Sequence, residues 1–125
     1  MRRPNGARSG QVEIGGSWTL RKGWRYHEAG WPFGKLSLTE SEIVLSGLGP
    51  FRYGSRVVIR LDELVRVERL RGWSFAKRLG LLRFRTRSKA TDGAAFSSLP
   101  SRIRRLERLL EDRGFTIEEV WGFTV

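Results

Sequence analysis

The feature that most constrains this chain is a succession of short segments within residues 34–87 in which apolar and polar residues alternate. A period of two places every second side chain on one face of a β-strand, and turn residues separate the segments. Residues 34–40 are the clearest case, because Leu36 and Leu38 fall on one face and polar residues on the other. The pattern predicts a small antiparallel β-sheet with one buried face.

The alternation recurs further along the chain. In residues 56–61 it predicts a strand whose core side chains are Val57, Ile59 and Leu61, after which Val65 and Val67 are expected to continue the core. Residues 82–87 form another strand, and residues 94–98 a short one after a hairpin turn. The inward residues expected there are Leu82, Phe84 and Phe96.

Near the C-terminus the period changes to that of a helix. Apolar residues recur at helical spacing, Pro100 and Ser101 suit a helix start, and Gly114 suits its end, so we predict an amphipathic helix over residues 101–113. Its predicted outer face mixes charges of both signs, which favours a solvated face. The residues of that face are Arg102, Arg104, Arg105, Arg108 and Arg113, with Glu107, Glu111 and Asp112.

The length of 125 residues predicts one domain with a single core. Residues 1–16 are rich in glycine and arginine and are expected to form a disordered basic tail, so that the folded domain spans residues 17–114. Residues 115–125 are too apolar for a free tail, and dock either as a further strand or on a partner. The sequence has no apolar segment long enough to span a membrane and no secretory signal, so a cytoplasmic protein is expected.

Composition excludes several kinds of chemistry. The chain has no cysteine, which rules out disulfides, thiolate metal sites and cysteine nucleophiles, and its one histidine is His27. The carboxylates are concentrated in turns and in the helix, at no spacing typical of catalysis. We therefore expect a protein that is not an enzyme and that uses no cofactor or metal.

The formal net charge of +11 arises from 24 basic and 13 acidic residues, and arginine accounts for 20 of the basic ones. A chain with this charge attracts polyanions, and the arginine fork suits phosphate and carboxylate groups. Charge alone leaves three interpretations open: nucleic acid binding, contact with a phospholipid surface, or a basic surface that is only solvated.

Two stretches combine basic residues in an unusual way. In residues 69–78 aromatic and basic side chains are mixed, as in contacts with membrane interfaces or single-stranded nucleic acid, although the aromatics could instead close an open end of the sheet. On the strand at 82–87, three arginines line up on one face, where they need anions or carboxylates such as that of Glu68. The two sets are Arg69, Arg71, Trp73, Phe75, Lys77 and Arg78, and Arg83, Arg85 and Arg87.

The order of these elements resembles the bacterial branch of the pleckstrin-homology-like (PH-like) domains, which includes the GRAM type. The resemblance covers roughly residues 31–114, and rests on the strand at 34–40, the segment at 58–68 and the late strand with its closing helix. It implies a mainly β fold, a bent antiparallel roll or barrel of about seven strands capped by one C-terminal α-helix. It also implies binding through basic residues in the loop joining the first two strands, here residues 22–31 with Lys22 and Arg25.

These observations predict a non-catalytic PH-like module that docks on an anionic membrane surface or on a protein partner, with peripheral association at the inner membrane face. Nucleic-acid binding through the arginine-rich surface is the alternative, although no recognised nucleic-acid motif supports it. A third hypothesis is an interaction or oligomerisation domain that uses the apolar ending around Trp121 and Phe123. The candidate anion-binding residues are Lys22, Arg25 and the two basic sets above.

Overall fold

The computed structural model describes residues 11–22, 25–47, 56–71 and 79–121. In these ranges the chain is mainly β with one α-helix near the C-terminus, which confirms the predicted fold class. The elements in chain order are β1 (Val12–Lys22), β2 (Arg25–Leu38), β3 (Glu42–Gly47), β4 (Arg56–Arg60), β5 (Leu64–Arg71), β6 (Gly80–Thr86), β7 (Ala94–Ser98), α1 (Pro100–Asp112) and β8 (Ile117–Trp121).

The eight strands form one sheet in the order β4-β3-β2-β1-β7-β6-β5-β8. Neighbouring strands are antiparallel except at one edge, where β8 runs parallel to β5. The sheet is open, with β4 and β8 at its two edges. The eighth strand comes from the apolar segment 115–125, so of the two alternatives for this segment the structure shows the docked strand for Ile117–Trp121.

The core lies on one face of the sheet. Its largest fully buried side chains are Trp18, Phe84 and Phe96, surrounded by leucines and isoleucines from β1 to β6 and from α1. The Trp18 indole Nε1 donates a 2.9 Å hydrogen bond to the Ser46 carbonyl oxygen, which joins β1 to β3. A buried Trp whose N–H finds an acceptor contributes a large apolar area without an unsatisfied donor, and here it ties two strands that are not neighbours in the sheet.

The first strand begins earlier than expected, at Val12, so the predicted tail 1–16 is wrong for residues 12–16; residues 1–10 lie outside the described residues. Ile14 is buried in the core. Gly16 allows β1 to approach β7, because a Cβ at this position would come within 2.2 Å of the Ser97 carbonyl oxygen. Gly16, one of the glycines that indicate disorder in the sequence, therefore serves close packing in the fold.

The second strand is also longer than expected. The predicted loop 22–31 is wrong, because Lys22 and Arg25 are register partners at the end of the β1–β2 hairpin and β2 extends to Leu38, with a shift in its register against β1 between Gly16 and Trp18. Only residues 23 and 24 separate the two strands. A long hairpin keeps the ladder hydrogen bonds that a ten-residue loop would leave to water.

The predicted burial of Val65 is wrong. The sequence places it in the core with Val67, but its side chain is 52% exposed, while Val67 is fully buried. The register of β5 against β6 shifts between Leu64 and Arg66. This irregularity turns Leu64 inward in place of Val65.

Helix α1 packs on β6 and β7, at the face that carries the core. Ile103, Leu106 and Leu110 are buried, as the helical spacing predicts, and Gly114 ends the helix with φ of +93°. Ile103 lies so close to Gly80 that a Cβ on this glycine would come within 2.7 Å of its side chain. No helix in the described part of the chain is long and apolar enough to cross a membrane.

Candidate anion-binding surface

The arginines of β6 surround a buried carboxylate. Arg83 and Glu68 are direct partners across β5 and β6, and Arg83 Nε donates a 2.8 Å hydrogen bond to Glu68 Oε1. Arg66 lies 3.2 Å and Arg85 3.9 Å from the same carboxylate, and Arg85 also lies 3.8 Å from Asp92. Of the two interpretations of the arginine face, the structure shows cross-strand pairing with acidic residues for Arg83 and Arg85.

The protonation of Glu68 follows from this setting. Burial acts to raise the pKa of the Glu68 carboxyl, but the hydrogen bond and charge of Arg83, together with Arg66 and Arg85, outweigh it and hold the pKa below its ordinary value. Glu68 is only 4% exposed and stays ionised near neutral pH. Its negative charge offsets part of the positive charge around it.

Arg69 lies on the opposite face of β5, towards α1. Its Nε donates a 2.7 Å hydrogen bond to Glu107 Oε2, and its Nη2 donates a second one of 2.7 Å to Glu107 Oε1. The hydrogen bonds that Arg69 donates to Glu107 outweigh the opposing effect of burial and raise the pKa of Arg69. The prediction that Glu107 belongs to the outer face of the helix is wrong, because this residue is 6% exposed and faces the sheet.

Arg71 and Arg87 are also engaged. Arg71 Nη1 donates to the Glu119 carboxylate, and its guanidinium lies 5.8 Å from the centre of the Trp121 ring. Arg87 Nη2 donates a 2.7 Å hydrogen bond to the Asp62 carbonyl oxygen. The five described arginines of the predicted site therefore lie on two faces of the sheet, and each binds an acceptor of the protein itself.

The side chains of the other predicted site residues lie outside the described part of the structure. Trp73, Phe75, Lys77 and Arg78 lie outside the described residues, and of Lys22 and Arg25 the structure describes the backbone alone. The described residues on either side of segment 72–78 are Arg71, at the end of β5, and Leu79, directly before β6.

A different group of cations stands out on α1. Four arginines of the helix are exposed, and none of them forms an ion pair within the described ranges. They lie on the side of the helix that faces away from the buried Ile103, Leu106 and Leu110. Along the helix they fall within its first two and a half turns. We name this group, Arg102, Arg104, Arg105 and Arg108, the helix arginine face.

The expected mixing of signs does not neutralise this face. Glu107 turns inward to Arg69, and Arg108 makes no ion pair with Glu111 or Asp112, although both carboxylates follow it by three and four residues. The remaining acidic side chains are confined to the last turn of the helix. Sequence reasoning found these arginines but judged the face mixed, because the inward direction of Glu107 depends on a partner 38 residues away.

The order of charges on α1 opposes the helix dipole. The first turn holds no acidic residue and the last turn no basic one, whereas the partial charges of a helix favour anions at its start and cations at its end. The N-cap residue is Leu99, which makes no side-chain cap hydrogen bond. Sequences that depart from several local stability preferences at one place, here those for helix-end charges and for the N-cap, do so more often at functional sites, because such sites are selected for more than stability.

Other kinds of site find little support. Within the described ranges no group of three or more His, Asp or Glu residues is placed to hold a metal ion. One open surface depression near the β2–β3 turn is lined by Glu40, Asp62 and Arg113, together with Leu61 and Phe115. Mixed charge and openness give no reason to place an anion there.

Comparison with known proteins gives no family: the chain matches no protein-family model, and no curated protein matches it.

Proposed function

We propose that this chain is a non-catalytic binding module of the PH-like type that docks reversibly on an anionic phospholipid surface. The observation that carries the proposal is the helix arginine face, where four exposed guanidinium groups lack an acidic partner within the described part of the chain. These cations are free to meet an external anion without breaking an internal ion pair. The sheet arginines, by contrast, would first have to leave Glu68, Glu107 or Glu119.

The fold supports the PH-like part of the proposal. The resemblance implies a bent antiparallel roll of about seven strands with a helix at its C-terminal end, and the observed sheet has seven antiparallel strands followed by α1. β8 is an addition to that plan. It lies beside β5 at the edge of the sheet, and leaves the order of the first seven strands unchanged.

The electrostatics are of the right size for reversible docking. A Lys or Arg near an anionic membrane surface contributes about 1 kcal/mol, so four arginines supply about 4 kcal/mol, or roughly a thousandfold in partitioning. The contribution is screened by salt within a Debye length of about 8 Å at physiological ionic strength. Binding should therefore weaken steeply as salt is added.

The buried carboxylates support a role without catalysis. Glu68 is buried and held in its charged form by Arg83, so it is not poised to exchange a proton near neutral pH, and Glu107 is buried against Arg69, where a substrate has no access to it. A general base needs a pKa near the working pH and access to a substrate. Neither carboxylate meets both conditions.

The proposal is tested by co-sedimentation with vesicles of increasing phosphatidylserine content, at low and physiological salt. The triple variant Arg104→Gln, Arg105→Gln, Arg108→Gln should bind anionic vesicles about a hundredfold more weakly, at about 1 kcal/mol per cation. The matched control is Arg56→Gln, Arg60→Gln, Lys89→Gln, which removes three exposed cations elsewhere and gives the same net charge of +8, since 11 − 3 = 8.

The control should keep most of the binding. An equal loss in both variants would mean that net charge alone drives association, and would contradict a docking face on α1. An oligonucleotide competitor distinguishes the alternative, because a protein that prefers nucleic acid leaves the vesicles when the competitor is added at low salt.

A further inference from the structure

In the described part of the chain, two exposed large apolar side chains lie at the end of the sheet where α1 begins. Leu99 is 39% exposed and Trp121 is 73% exposed. Leu99 directly precedes α1 and follows β7, whereas Trp121 ends β8. They lie far apart in the chain, and the order and register of the strands decide whether they lie at the same end of the sheet.

The strand registers place both residues at one end of the sheet. Ser98, the neighbour of Leu99, pairs with Gly80 at the start of β6. Arg69 pairs with Leu82, so the ladder of β5 and β6 brings the last residue of β5, Arg71, to the same end as Gly80. Arg71 in turn pairs with Trp121.

Helix α1 begins at this same end. Pro100 is its first residue, and Ile103 in its first turn packs on Gly80. The exposed apolar pair and the first turns of the helix arginine face therefore share one end of the molecule. The other two large apolar side chains that the described residues expose lie elsewhere, Val58 on the edge strand β4 and Val65 at the opposite end of β5.

We infer that Leu99 and Trp121 are the membrane-inserting anchors of this protein, and that the sheet end they share with the start of α1 faces the bilayer. The inference rests on the proposed function. Tryptophan favours the interfacial region of a bilayer, where its ring is buried and its N–H stays hydrated, and leucine gains by entering the acyl boundary. The arginines beside them then lie at the depth of the lipid phosphates.

The position of Leu99 supports an external partner. Leucine is among the poorest N-cap residues, whereas Ser, Thr, Asp or Asn at this place would accept a hydrogen bond from the first turn. The structure shows no side-chain cap at α1. An exposed leucine at the cap position is better explained by a contact that it makes outside the folded chain.

The combination of side chains favours a bilayer over a nucleic acid. Phosphate backbones and base edges offer little to an exposed aliphatic side chain, while a bilayer presents phosphates and apolar chains at adjoining depths. Arginines together with a leucine and a tryptophan match both layers. A surface of arginines alone would not distinguish the two partners.

The test uses the full chain and vesicles of phosphatidylcholine with about 30% phosphatidylserine, a content chosen to give the surface charge of an anionic leaflet. Leu99→Ser and Trp121→Ser should each weaken binding about tenfold, the loss expected when one apolar side chain no longer enters the bilayer. The matched controls are Val58→Ser and Val65→Ser, exposed apolar residues away from this end, which should bind within about twofold of the parent.

Depth is measured by quenching of tryptophan fluorescence with lipids brominated along the acyl chain. The parent protein should be quenched on binding, and Trp121→Phe should be quenched less while it still sediments with the vesicles, since the difference reports Trp121 and the other four tryptophans are common to both proteins. Folding is followed by thermal unfolding. Leu99→Ser should stay folded, because a new cap hydrogen bond offsets the partial burial that it loses.

Failure of the two proposals gives different results. If the parent protein binds no anionic vesicle, the proposed function is wrong and the anchors with it. If the parent binds but Leu99→Ser and Trp121→Ser bind as tightly as the two valine controls, the anchor inference is overturned and the electrostatic docking stands. Preferential binding of an oligonucleotide over the vesicles overturns both.

Discussion

Arg83 and Glu68 face each other across β5 and β6, joined by a 2.8 Å hydrogen bond in which the guanidinium is largely buried and the carboxylate almost fully so. This pair gives the arginine ladder of β6 a structural role. It also makes these arginines unsuited to capture an external anion, because the sheet already neutralises their charge. The helix arginine face, which has no such partner within the described residues, is the better candidate for the docking surface.

Replacing Glu68 by Gln should destabilise the fold by about 2–4 kcal/mol, because Arg66, Arg83 and Arg85 would remain close together with their shared carboxylate removed. The measurement is the free energy of unfolding from urea denaturation. Glu118→Gln is the control, since this exposed carboxylate lies 3.6 Å from Arg66 and should contribute less than about 0.5 kcal/mol. Equal effects of the two changes would contradict the structural role of Glu68.

The lowered pKa of Glu68 predicts a dependence of stability on pH. A carboxyl whose pKa is lower in the folded state stabilises the fold above its unfolded pKa of about 4.3, and this contribution is lost as the pH falls through the lower, folded pKa. The difference in unfolding free energy between the parent and Glu68→Gln should therefore be constant near neutral pH and shrink below about pH 4. A difference that grows on acidification would mean that the sign of the pKa shift is wrong.

The Arg69–Glu107 pair should be energetically coupled. A double-mutant cycle with Arg69→Gln and Glu107→Gln should give a coupling of about 1–3 kcal/mol, because the contact has two hydrogen bonds and a buried carboxylate. The same cycle on Arg60 and Asp62, whose 2.7 Å ion pair is exposed on both sides, should give at most about 1 kcal/mol. Similar couplings in the two cycles would show that burial adds nothing to the Arg69 pair.

Gly16 should tolerate no side chain. In Gly16→Ala the new Cβ would collide with the Ser97 carbonyl oxygen and the Phe96 ring, so we expect a loss of about 2–3 kcal/mol or a failure to fold. Gly15→Ala is the matched control on the adjacent residue, where the nearest atom is Arg102 Nη1 at 3.6 Å, in ordinary contact. Thermal unfolding of both variants checks the difference, and a mild effect at Gly16 would disprove the close approach of β1 and β7.

Much of the fold could be predicted from the sequence, because alternation and helical spacing report directly on burial. The inward positions of Leu36, Leu38 and Phe84 follow from a period of two, and the need of the aligned arginines for a carboxylate such as that of Glu68 follows from their like charges. What failed depends on contacts between distant segments. The bulge that exposes Val65 leaves no local signal in the sequence.

The site was harder to predict for the same reason. Glu107 reads as a surface residue at its helical position, and its inward direction is set by Arg69 on a distant strand. With Glu107 turned inward, the arginines around it change from a mixed face to a basic one. The anchors Leu99 and Trp121 lie at the same end of the sheet only because β8 pairs in parallel with β5, which no local pattern indicates.

Arg102 offers a test in which stability and binding should move in opposite directions. Arg102→Glu places an anion in the first turn of α1, where the helix dipole favours it, and should raise the free energy of unfolding by about 0.3–1 kcal/mol. The same change reverses one charge of the helix arginine face, and should weaken binding to anionic vesicles at least tenfold, because it replaces an attraction of about 1 kcal/mol by a repulsion. Arg102→Gln should lose a smaller part of the binding and should gain little stability. Urea denaturation and vesicle co-sedimentation on the same samples check both effects, and a variant that is more stable and binds as tightly as the parent would remove Arg102 from the docking face.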